Sequence, residues 1–224
     1  MKIEIEPIAH VRSPYNEKFG IPRQSCLVEN SYSTIVFLPK FRKEGILKGI
    51  EGFSHLWLIW HFSENASHPW SPTVRPPRLG GNKRMGVFAT RSPFRPNFLG
   101  LSCVKLIDVL STEKDGTVLI VDGADLMDGT PIFDVKPYIP FTDAHIDAIG
   151  SYATENFFRS LNVVLEENSL SFLSKEQKET LRQIIAQDPR PSYHDDGETY
   201  GFTYANYEIK FSVKDGCARV WSET

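Results

Sequence analysis

The residues that could bind a negatively charged partner are concentrated in the middle of the chain. Between Asn65 and Ile107 there is no aspartate or glutamate. The same stretch holds seven cationic residues: Arg75, Arg78, Lys83, Arg84, Arg91, Arg95 and Lys105. Arginine side chains match the geometry of phosphate and carboxylate groups. Flat faces on which nucleic-acid bases could stack are supplied there by three phenylalanines, Phe88, Phe94 and Phe98.

The overall charge does not oppose this interpretation. The chain has a net charge of −3, but a polyanion responds to the local field within a Debye length rather than to the total charge. The block is also rich in proline and glycine, which hold a backbone in fixed positions at little entropic cost. The pattern predicts a surface that attracts the phosphates of a nucleic acid, and an ordinary solvated loop is the alternative.

Carboxylates follow the basic block, between Asp122 and Pro140. Four aspartates lie there close to glycine turns: Asp122, Asp125, Asp128 and Asp134. Carboxylates in such turns bind ribose hydroxyls, hold a cation or cap the turn itself. The spacing lacks the pattern of a calcium-binding loop. The residues alone therefore leave these roles open.

Other catalytic and metal-binding patterns are missing from the sequence. There is no glycine-rich dinucleotide fingerprint, no phosphate-binding loop, no H-E-x-x-H and no G-x-S-x-G. The six histidines form no metal-ligand pattern, and His55 and His61 flank an apolar stretch where they would share one face of a strand. We therefore predict neither a metal site nor a Rossmann-type cofactor site.

Alternating apolar and polar residues predict short β-strands through the first two thirds of the chain. The segments are Lys2 to Ile8, Ser33 to Leu38, Ser102 to Leu110 and Thr117 to Asp122. Asp115-Gly116 predicts a tight hairpin turn, because both residues tolerate a positive φ. One helical stretch is predicted from Phe41 to Ile50. Many short strands without regularly interposed helices favour an antiparallel barrel or sandwich.

After Asp143 the apolar spacing becomes partly helical, with the run Ala144 to Glu166 broken near Gly150 and Ser151. A clearer helix begins at Ser174, where Gln177 completes a capping box, and Asp188-Pro189 ends it.

Phe202 to Val213 then alternates as a strand, turns at Asp215-Gly216 and returns through Trp221. We predict a mainly β fold, with an antiparallel β-barrel domain at 1–150 and a small α+β domain at 151–224.

Composition places the protein in a broad class. Its 224 residues are 41% hydrophobic and 24% charged, as in ordinary globular proteins. The three cysteines, Cys26, Cys103 and Cys217, are odd in number and distant in sequence, so a disulfide framework is not expected. The N-terminus lacks the apolar stretch of a signal peptide, and the longest apolar run, Leu56 to Trp60, is too short to span a bilayer. The sequence predicts a soluble, cytoplasmic protein.

Several long motifs resemble one protein family. They are Val87 to Asn97, Gly100-Leu101-Ser102, Asp128 to Pro131, Asp134 to Pro140, Arg12 to Tyr15, Pro22 to Gln24, Phe53 to Trp57, Arg75 to Asn82 and Asp188 to Tyr193. Together they resemble the TsaA-like (TrmO) family over nearly the whole chain. Phe98 departs from the pattern, because many relatives have proline or another small apolar residue there. We expect this difference to alter packing only.

The resemblance implies an S-adenosylmethionine-dependent tRNA methyltransferase that methylates N6 of threonylcarbamoyladenosine at position 37 of threonine tRNA. It also implies a cofactor bound on a β-barrel, a homodimer and recognition of the tRNA anticodon stem-loop. This agrees with the missing dinucleotide fingerprint.

The same resemblance implies candidate site residues. Polar and main-chain contacts to the cofactor are expected from Gln24, Ser25, Cys26, Leu27, Glu64 and Asn65. The methionine and adenine ends are expected beside Arg91 and Leu101, and the sugar or amino groups beside Asp122, Gly123, Ala124 and Asp125. Predicted on the substrate side are Asp128, Lys136 and Tyr138.

The expected chemistry needs little from the protein beyond alignment, because the sulfonium already activates the methyl group. The carbonyl attached to N6 weakens the nucleophile and acidifies its N–H, so a base or acceptor is expected, with Asp128 or Tyr138 in that role. Two alternatives stay open. One is a non-catalytic RNA-binding barrel, and the other is a methyltransferase acting on a small molecule.

Overall fold

The fold is described by a computed structural model for residues 2–79, 83–155, 160–190 and 196–223. The strands in these ranges are β1 (Ala9–Arg12), β2 (Tyr32–Phe37), β3 (His55–His61), β4 (Thr73–Val74), β5 (Met85–Gly86), β6 (Leu99–Thr112), β7 (Gly116–Asp122), β8 (Pro131–Pro137), β9 (Asn162–Leu165), β10 (Thr199–Tyr204), β11 (Tyr207–Lys214) and β12 (Cys217–Trp221). The α-helices there are α1 (Pro140–Asp143), α2 (Tyr152–Glu155) and α3 (Lys175–Ala186). Single-turn 3-10 helices lie at Pro39–Phe41, Ile50–Gly52, Ser63–Asn65, Pro77–Leu79 and Val87–Ala89. The fold is mainly β, as predicted.

Six strands pair in a closed barrel with the order β1-β2-β7-β6-β3-β8. Each of these pairings is antiparallel. Side chains alternate between the two faces of a strand, and in β3 this buries Leu56, Leu58 and Trp60. These side chains join a core that includes Ile35, Val104, Leu119 and Ile132.

The position of β3 determines which residues share each end of the barrel. Its neighbour β6 is paired so that His61 lies opposite Leu99 and His55 lies opposite Lys105. On the other side, β8 places Lys136 opposite Trp57. His55 and His61 therefore share one face of the strand, as predicted, but they lie at opposite ends of it.

Two predicted hairpin turns are present. Gly116 has a φ of 68° and begins β7 directly after the turn from β6, while Asp115 accepts hydrogen bonds from Arg12. At the second turn, Asp215 and Gly216 have φ values of 48° and 74° between β11 and β12. In the first pair the positive φ belongs to Gly116, and in the second both residues adopt it, which aspartate and glycine tolerate better than most residues.

The C-terminal part forms a second sheet with the order β10-β11-β12-β9, in which β9 is parallel to β12. Helix α3 packs on a separate core through Leu181, Ile184 and Ile185. The predicted capping box at its start is confirmed, since Ser174 accepts the N–H of Gln177 while the Gln177 side chain accepts the N–H of Ser174.

The second core also contains residues from the beginning of the chain. Tyr15 and Val28 are buried in it, and Phe19 packs against it. The loop before β2 therefore connects the barrel with the C-terminal sheet. A domain boundary near residue 150 remains a proposal. No helix in the described ranges has the length and apolarity needed to cross a membrane.

Two expectations about the barrel region were wrong. Lys2 to Ile8 is not a strand, and regular pairing begins only at Ala9, after Pro7, which has no N–H to donate. Phe41 to Ile50 is not an α-helix but a series of turns, because Gly45 and Gly49 adopt φ values of 79° and 85°.

Two expectations about the later chain were also wrong. Among the described residues of 144–166, Tyr152–Glu155 form α2, but Asn162–Leu165 form strand β9, whose Val163 and Val164 favour a strand. Phe202 to Val213 is two strands, since Ala205 and Asn206 form a turn with φ values of 51° and 68°.

Candidate active site

A cavity of about 580 Å³ lies at the end of β3 that carries His61. Its walls come from residues within four segments, 18–24, 60–65, 90–101 and 125–130. Cavities of roughly 300 to 1,000 Å³ hold cofactors and other small molecules. Segments far apart in sequence therefore converge on a space of the size that a nucleoside cofactor needs.

The end of β3 supplies the aromatic wall. Trp60 and Phe62 lie with their ring centroids 4.2 Å apart, and the chain then turns through Ser63–Asn65. The N–H of Phe62 donates to the carbonyl of Phe98 at 2.8 Å, which ties this wall to the basic block. Lys18 lies on the same side of the cavity, where its ammonium group donates to the carbonyl of Glu64 at 3.1 Å.

Gly100 allows the Trp60 ring to reach its position. A Cβ atom built on Gly100 would lie 2.2 Å from Cε2 of Trp60, which is far inside van der Waals contact. The indole N–H of Trp60 donates to Ser102 Oγ at 2.9 Å, and the Ser102 hydroxyl donates to Asp125 Oδ1 at 2.6 Å. A chain of hydrogen bonds thus runs from the barrel core to the cavity.

Asp125 is a cavity-lining carboxylate whose pKa is raised, because burial disfavours its charged form. The hydrogen bond from Ser102, nearby backbone N–H groups and the charge of Arg91 act in the opposite direction. Arg91 also donates a hydrogen bond to the side chain of Gln24. Ionisable groups with such perturbed pKa values are common at functional sites.

The charged residues of the cavity lining are predominantly cationic. Lys18, Arg23, Arg91 and Arg95 belong to the lining, and the carboxylates among its described residues are those of Glu64 and Asp125. The site therefore offers cations to an anionic group and two carboxylates to a cationic one.

Half of the predicted cofactor residues line this cavity. They are Gln24, Glu64, Asn65, Arg91, Leu101 and Asp125. The others are absent from the lining: Ser25, Cys26, Leu27, Asp122, Gly123 and Ala124. Two of the segments outside the lining touch each other, since the N–H of Cys26 donates to the carbonyl of Gly123 at 2.8 Å. Asp122 faces elsewhere and accepts the N–H groups of Asn30 and Ser31 at 3.2 and 2.7 Å.

The three predicted catalytic residues do not line the cavity. Asp128 accepts the N–H of Ser13 at 2.9 Å, although its neighbour Met127 is part of the lining. Lys136 forms an ion pair with Asp134 at 2.9 Å. The N–H of Tyr138 donates to the carbonyl of His55, which lies about 20 Å along an extended strand from His61. Their catalytic roles remain predictions.

Part of the predicted basic block surrounds the cavity and part does not. Arg91 and Arg95 line it, whereas Arg84 donates to Thr73 Oγ1 at 2.8 Å on the neighbouring hairpin. Phe88 is 78% exposed. Gly80, Gly81 and Asn82 of one motif, and Pro191, Ser192 and Tyr193 of another, lie outside the described residues.

Comparison with known proteins identifies the family. Residues 10–144 match the N-terminal domain of tRNA-methyltransferase O, and residues 159–222 match the TrmO C-terminal domain. The chain belongs to the TrmO family. The resemblance predicted from the motifs is thereby confirmed, and so is the prediction of a tRNA methyltransferase at the level of the family.

Individual TrmO relatives match along most of their length. The tRNA (adenine(37)-N6)-methyltransferase of Escherichia coli strain K12 is 43% identical over 217 residues, covering 94% of this chain and 92% of the relative. A Pseudomonas aeruginosa protein named putative S-adenosylmethionine-dependent methyltransferase RcsF is 38% identical, covering 90% of this chain and 88% of the relative. A crystal structure of TrmO from Pseudomonas aeruginosa superimposes with a TM-score of 0.76 at 32% identity, covering 99% of this chain and 98% of that one.

Several cavity residues of this TrmO family member were missed in the sequence. Trp60 and Phe62 end an apolar stretch. Their position at the end of a strand, just before a turn, could have indicated that they line a site. Arg23 lies in the motif Pro22 to Gln24, but it was not chosen as a site residue. It is positioned by the end of α3, where Gln187 Oε1 accepts its N–H at 3.2 Å and the carbonyl of Asp188 accepts from its guanidinium.

Proposed function

We propose that this protein transfers the methyl group of S-adenosylmethionine to N6 of threonylcarbamoyladenosine at position 37 of threonine tRNA. Membership of the TrmO family supports the reaction class, and the names of the Escherichia coli and Pseudomonas aeruginosa relatives support the position and the methyl donor. The observation that carries the proposal is the convergence of Gln24, Glu64, Arg91 and Asp125 on one cavity.

The residues present fit this cofactor. S-adenosylmethionine has two cationic groups, one carboxylate and an adenosine. Asp125 and Glu64 supply negative charge for the cations, and Arg91 and Gln24 supply polar groups for the carboxylate and the base. Leu101 supplies an apolar contact for the ring. The mixture of a few polar groups with apolar walls is typical of cofactor sites.

The protein's contribution to the reaction is alignment and the exclusion of water. The bound sulfonium would supply an activated methyl group. Trp60, Phe62 and Leu101 form apolar surface beside the polar groups and limit access of water. As a bond forms between the methyl carbon and N6, the bond between that carbon and sulfur would break, the neutral thioether S-adenosylhomocysteine would leave, and the N6 proton must be lost. Asp128 remains our proposed acceptor, since it directly follows Met127 in the cavity wall.

The tRNA would approach the cationic side chains at and beside the cavity. Lys18, Arg91 and Arg95 lie at the cavity, and Arg75 is exposed on the neighbouring hairpin. Cations in this arrangement attract the phosphates of the anticodon stem-loop. The exposed ring of Phe88 offers a stacking surface for an unpaired base. We place this reaction in the cytoplasm.

We also propose a homodimer. Residues 140–150 carry Phe141, Ile146 and Ile149, which are 92%, 102% and 93% exposed. Exposed apolar side chains clustered in one short segment favour a protein contact. Lys136 and Tyr138 directly precede this segment, so a dimer formed here would bring both residues against the second subunit. In that arrangement Tyr138 would serve the partner's cavity.

Mixed dimers test this arrangement. Arg91→Ala should inactivate a subunit's own cavity, and Tyr138→Phe should inactivate the contribution to its partner. Mixing the two inactive variants should restore part of the activity if Tyr138 acts across the dimer. If the mixture remains as inactive as either variant alone, this part of the proposal is wrong.

The methylation reaction is tested with purified protein, labelled S-adenosylmethionine and threonine tRNA. We expect methylated threonylcarbamoyladenosine, detected by nucleoside mass spectrometry, from tRNA carrying that modification. Matched tRNA with unmodified adenosine at position 37 is the control and should give none. Absence of product from the modified tRNA would refute the proposal.

The alternatives predict different results. An RNA-binding module would bind tRNA but give no calorimetric signal with S-adenosylmethionine. A methyltransferase for small molecules would bind the cofactor, and its turnover would be unaffected by Arg75→Glu with Lys83→Glu. Under our proposal these charge reversals weaken tRNA binding about equally for all tRNA sequences and reduce its salt dependence.

A further inference from the structure

One buried chain of hydrogen bonds leads from the barrel core to the cavity. Trp60 Nε1–H donates to Ser102 Oγ at 2.9 Å, and the Ser102 hydroxyl donates to Asp125 Oδ1 at 2.6 Å. Trp60 is 8% exposed and Ser102 is 1% exposed, so water cannot readily replace either donor. Because a hydroxyl has one proton, acceptance from Trp60 leaves the Ser102 proton directed to the carboxylate.

The barrel determines the geometry of this chain. Strand register places Ser102 opposite Leu58 and Gly100 opposite Trp60. Gly100 has no side chain, so the indole lies over its backbone and reaches Ser102. Both donors therefore belong to rigid paired strands, while Asp125 belongs to the turn that follows β7. These hydrogen bonds attach the Asp125 carboxylate, which lies in the segment after β7, to the barrel wall.

Several charged or titratable groups surround Asp125. Arg91 lies across the cavity and favours the charged carboxylate, together with the backbone N–H groups of Ser25 and of Asp125 itself. Burial raises the pKa values of Cys26 and Tyr15, and the charges of Asp122 and Asp125 raise them further. The other charged or titratable groups of the cavity lining are Lys18, Arg23, His61, Glu64 and Arg95. Ser102 contributes the direct hydrogen bond from the barrel.

We propose that Ser102 and Trp60 are positioning residues that fix the Asp125 carboxylate against the barrel and support its negative charge for binding a cationic group of the methyl donor. The binding part rests on the proposed function. A carboxylate has about four lone-pair sites, so acceptance from Ser102 and from the backbone N–H groups of Ser25 and Asp125 still leaves capacity toward the cavity. In this role neither Ser102 nor Trp60 needs to touch the reacting atoms, because both act through Asp125. Trp60 also forms part of the apolar cavity wall.

A purely structural role for these hydrogen bonds makes a different prediction. If Ser102 merely satisfied the buried indole N–H, its removal would lower stability without altering the ionisation of Asp125. If the proposal is right, removal of the Ser102 hydroxyl takes a hydrogen bond from the charged Asp125 carboxylate. The pKa of Asp125 then rises further, because this bond no longer offsets the effect of burial.

The test is a carbon NMR titration of the aspartate side chains in the full chain without ligand. Asp125→Asn identifies the Asp125 signal by its loss. In Ser102→Ala the pKa of Asp125 should rise by about one, as expected for loss of a hydrogen bond to a charged group. Trp60→Phe keeps a ring in the core and should raise the pKa by less. It also provides the test if Ser102→Ala does not fold.

Trp57→Phe is the matched control. Trp57 donates to Asp143 at 2.9 Å near the other end of β3. Its replacement should raise the pKa of Asp143 and leave that of Asp125 unchanged. An Asp125 pKa that is the same in the wild type and in each folded variant of Ser102 and Trp60 would overturn the proposal.

Calorimetric binding of S-adenosylmethionine provides the second readout. Protonation of Asp125 removes the charge that attracts the cation, so affinity should fall as the pH is lowered. In Ser102→Ala this fall should begin about one pH unit higher. In an Asp125→Asn background the Ser102 substitution should have little further effect, since both act through one group. Additive effects would contradict the positioning role.

Failure of the proposed function gives a separate result. If the wild-type protein does not bind S-adenosylmethionine, the assignment of the cofactor is wrong. The NMR titration still decides whether Ser102 and Trp60 support the Asp125 charge, because it uses the ligand-free chain.

Discussion

The two ends of β3 each hold a tryptophan and an aspartate connected by hydrogen bonds, but their electrostatics are opposite. Near His55, the Trp57 indole N–H and the backbone N–H of Ile139 both donate to Asp143 Oδ2 at 2.9 Å, and these hydrogen bonds lower the pKa of this half-buried carboxyl. Near His61, the chain from Trp60 reaches Asp125, whose pKa is raised by burial.

The difference shows how burial changes the consequence of a similar contact. At Asp143 the hydrogen bonds outweigh the effect of burial, so they favour the charged form. At Asp125 the effect of burial outweighs the hydrogen bond from Ser102, so that bond only reduces the cost of the charge. Asp143 connects α1 to the barrel, while Asp125 lies at a cavity. The predictions below test this contrast.

The largest expected effect is on activity. Asp125→Asn should reduce kcat/KM for methyl transfer by roughly 10- to 100-fold, as expected for loss of one interaction with a charged group. Asp143→Asn keeps an oxygen that can accept the N–H groups of Trp57 and Ile139, so it should reduce kcat/KM less than Asp125→Asn. Steady-state assays of both variants measure the difference. Equal losses would show that the two ends of β3 do not differ in function.

The second prediction concerns the position of the Trp60 ring. Gly100→Ala should lower the free energy of unfolding by about 1 to 3 kcal/mol, because the new methyl group overlaps the indole. Gly52→Ala is the control, since a Cβ atom there meets nothing within 4 Å. Its effect should stay within about 0.5 kcal/mol. Urea unfolding measures both, and similar values for the two variants would contradict the packing at Gly100.

The third prediction is an opposite dependence of stability on pH. The folded-state pKa of Asp143 is lowered, so its contribution is present at neutral pH and is lost as the pH falls through that pKa. The folded-state pKa of Asp125 is raised, so its contribution is present at low pH and is lost as the pH rises through that pKa.

Unfolding measured from pH 3 to pH 8 therefore distinguishes the two aspartates. Relative to wild type, Asp143→Asn should become less stable as the pH rises, and Asp125→Asn should become more stable. Curves of the same sign for both variants would show that burial does not separate the two carboxyls.

The smallest expected effect concerns support of the cavity by the C-terminal part. Gln187→Ala removes the acceptor for the N–H of Arg23, a cavity residue. Affinity for S-adenosylmethionine should fall roughly two- to tenfold, the range for one neutral hydrogen bond. Lys210→Ala is the control. It removes the ion pair between Lys210, in β11, and Glu223, and should not change affinity.

Local chemistry made some features predictable from the sequence. The Asp115-Gly116 and Asp215-Gly216 turns follow from the positive φ that these residues accept. The capping box at Ser174 depends on residues three positions apart. The mainly β fold follows from the period of the apolar residues. Expectations failed where glycines with positive φ, such as Gly45 and Gly49, interrupted a helical pattern.

The cavity depended on long-range pairing. Asp122 and Asp125 are three residues apart and equivalent as sequence signals, yet Asp122 accepts N–H groups of a turn while Asp125 lines the cavity. Likewise, Tyr138 belongs to the same motif region as Asp128 but follows β8 to the His55 end of the barrel. No local pattern encodes which end of a strand a residue reaches.

The sequence by itself determined the family, the strand-rich composition and the basic block, because these depend on residue identity and near neighbours. Only the tertiary structure decided that Trp60, Ser102 and Asp125 form one chain beside a cavity. The physical reason is that strand register in a closed barrel brings together residues far apart in sequence, and burial then changes the ionisation of those that meet there.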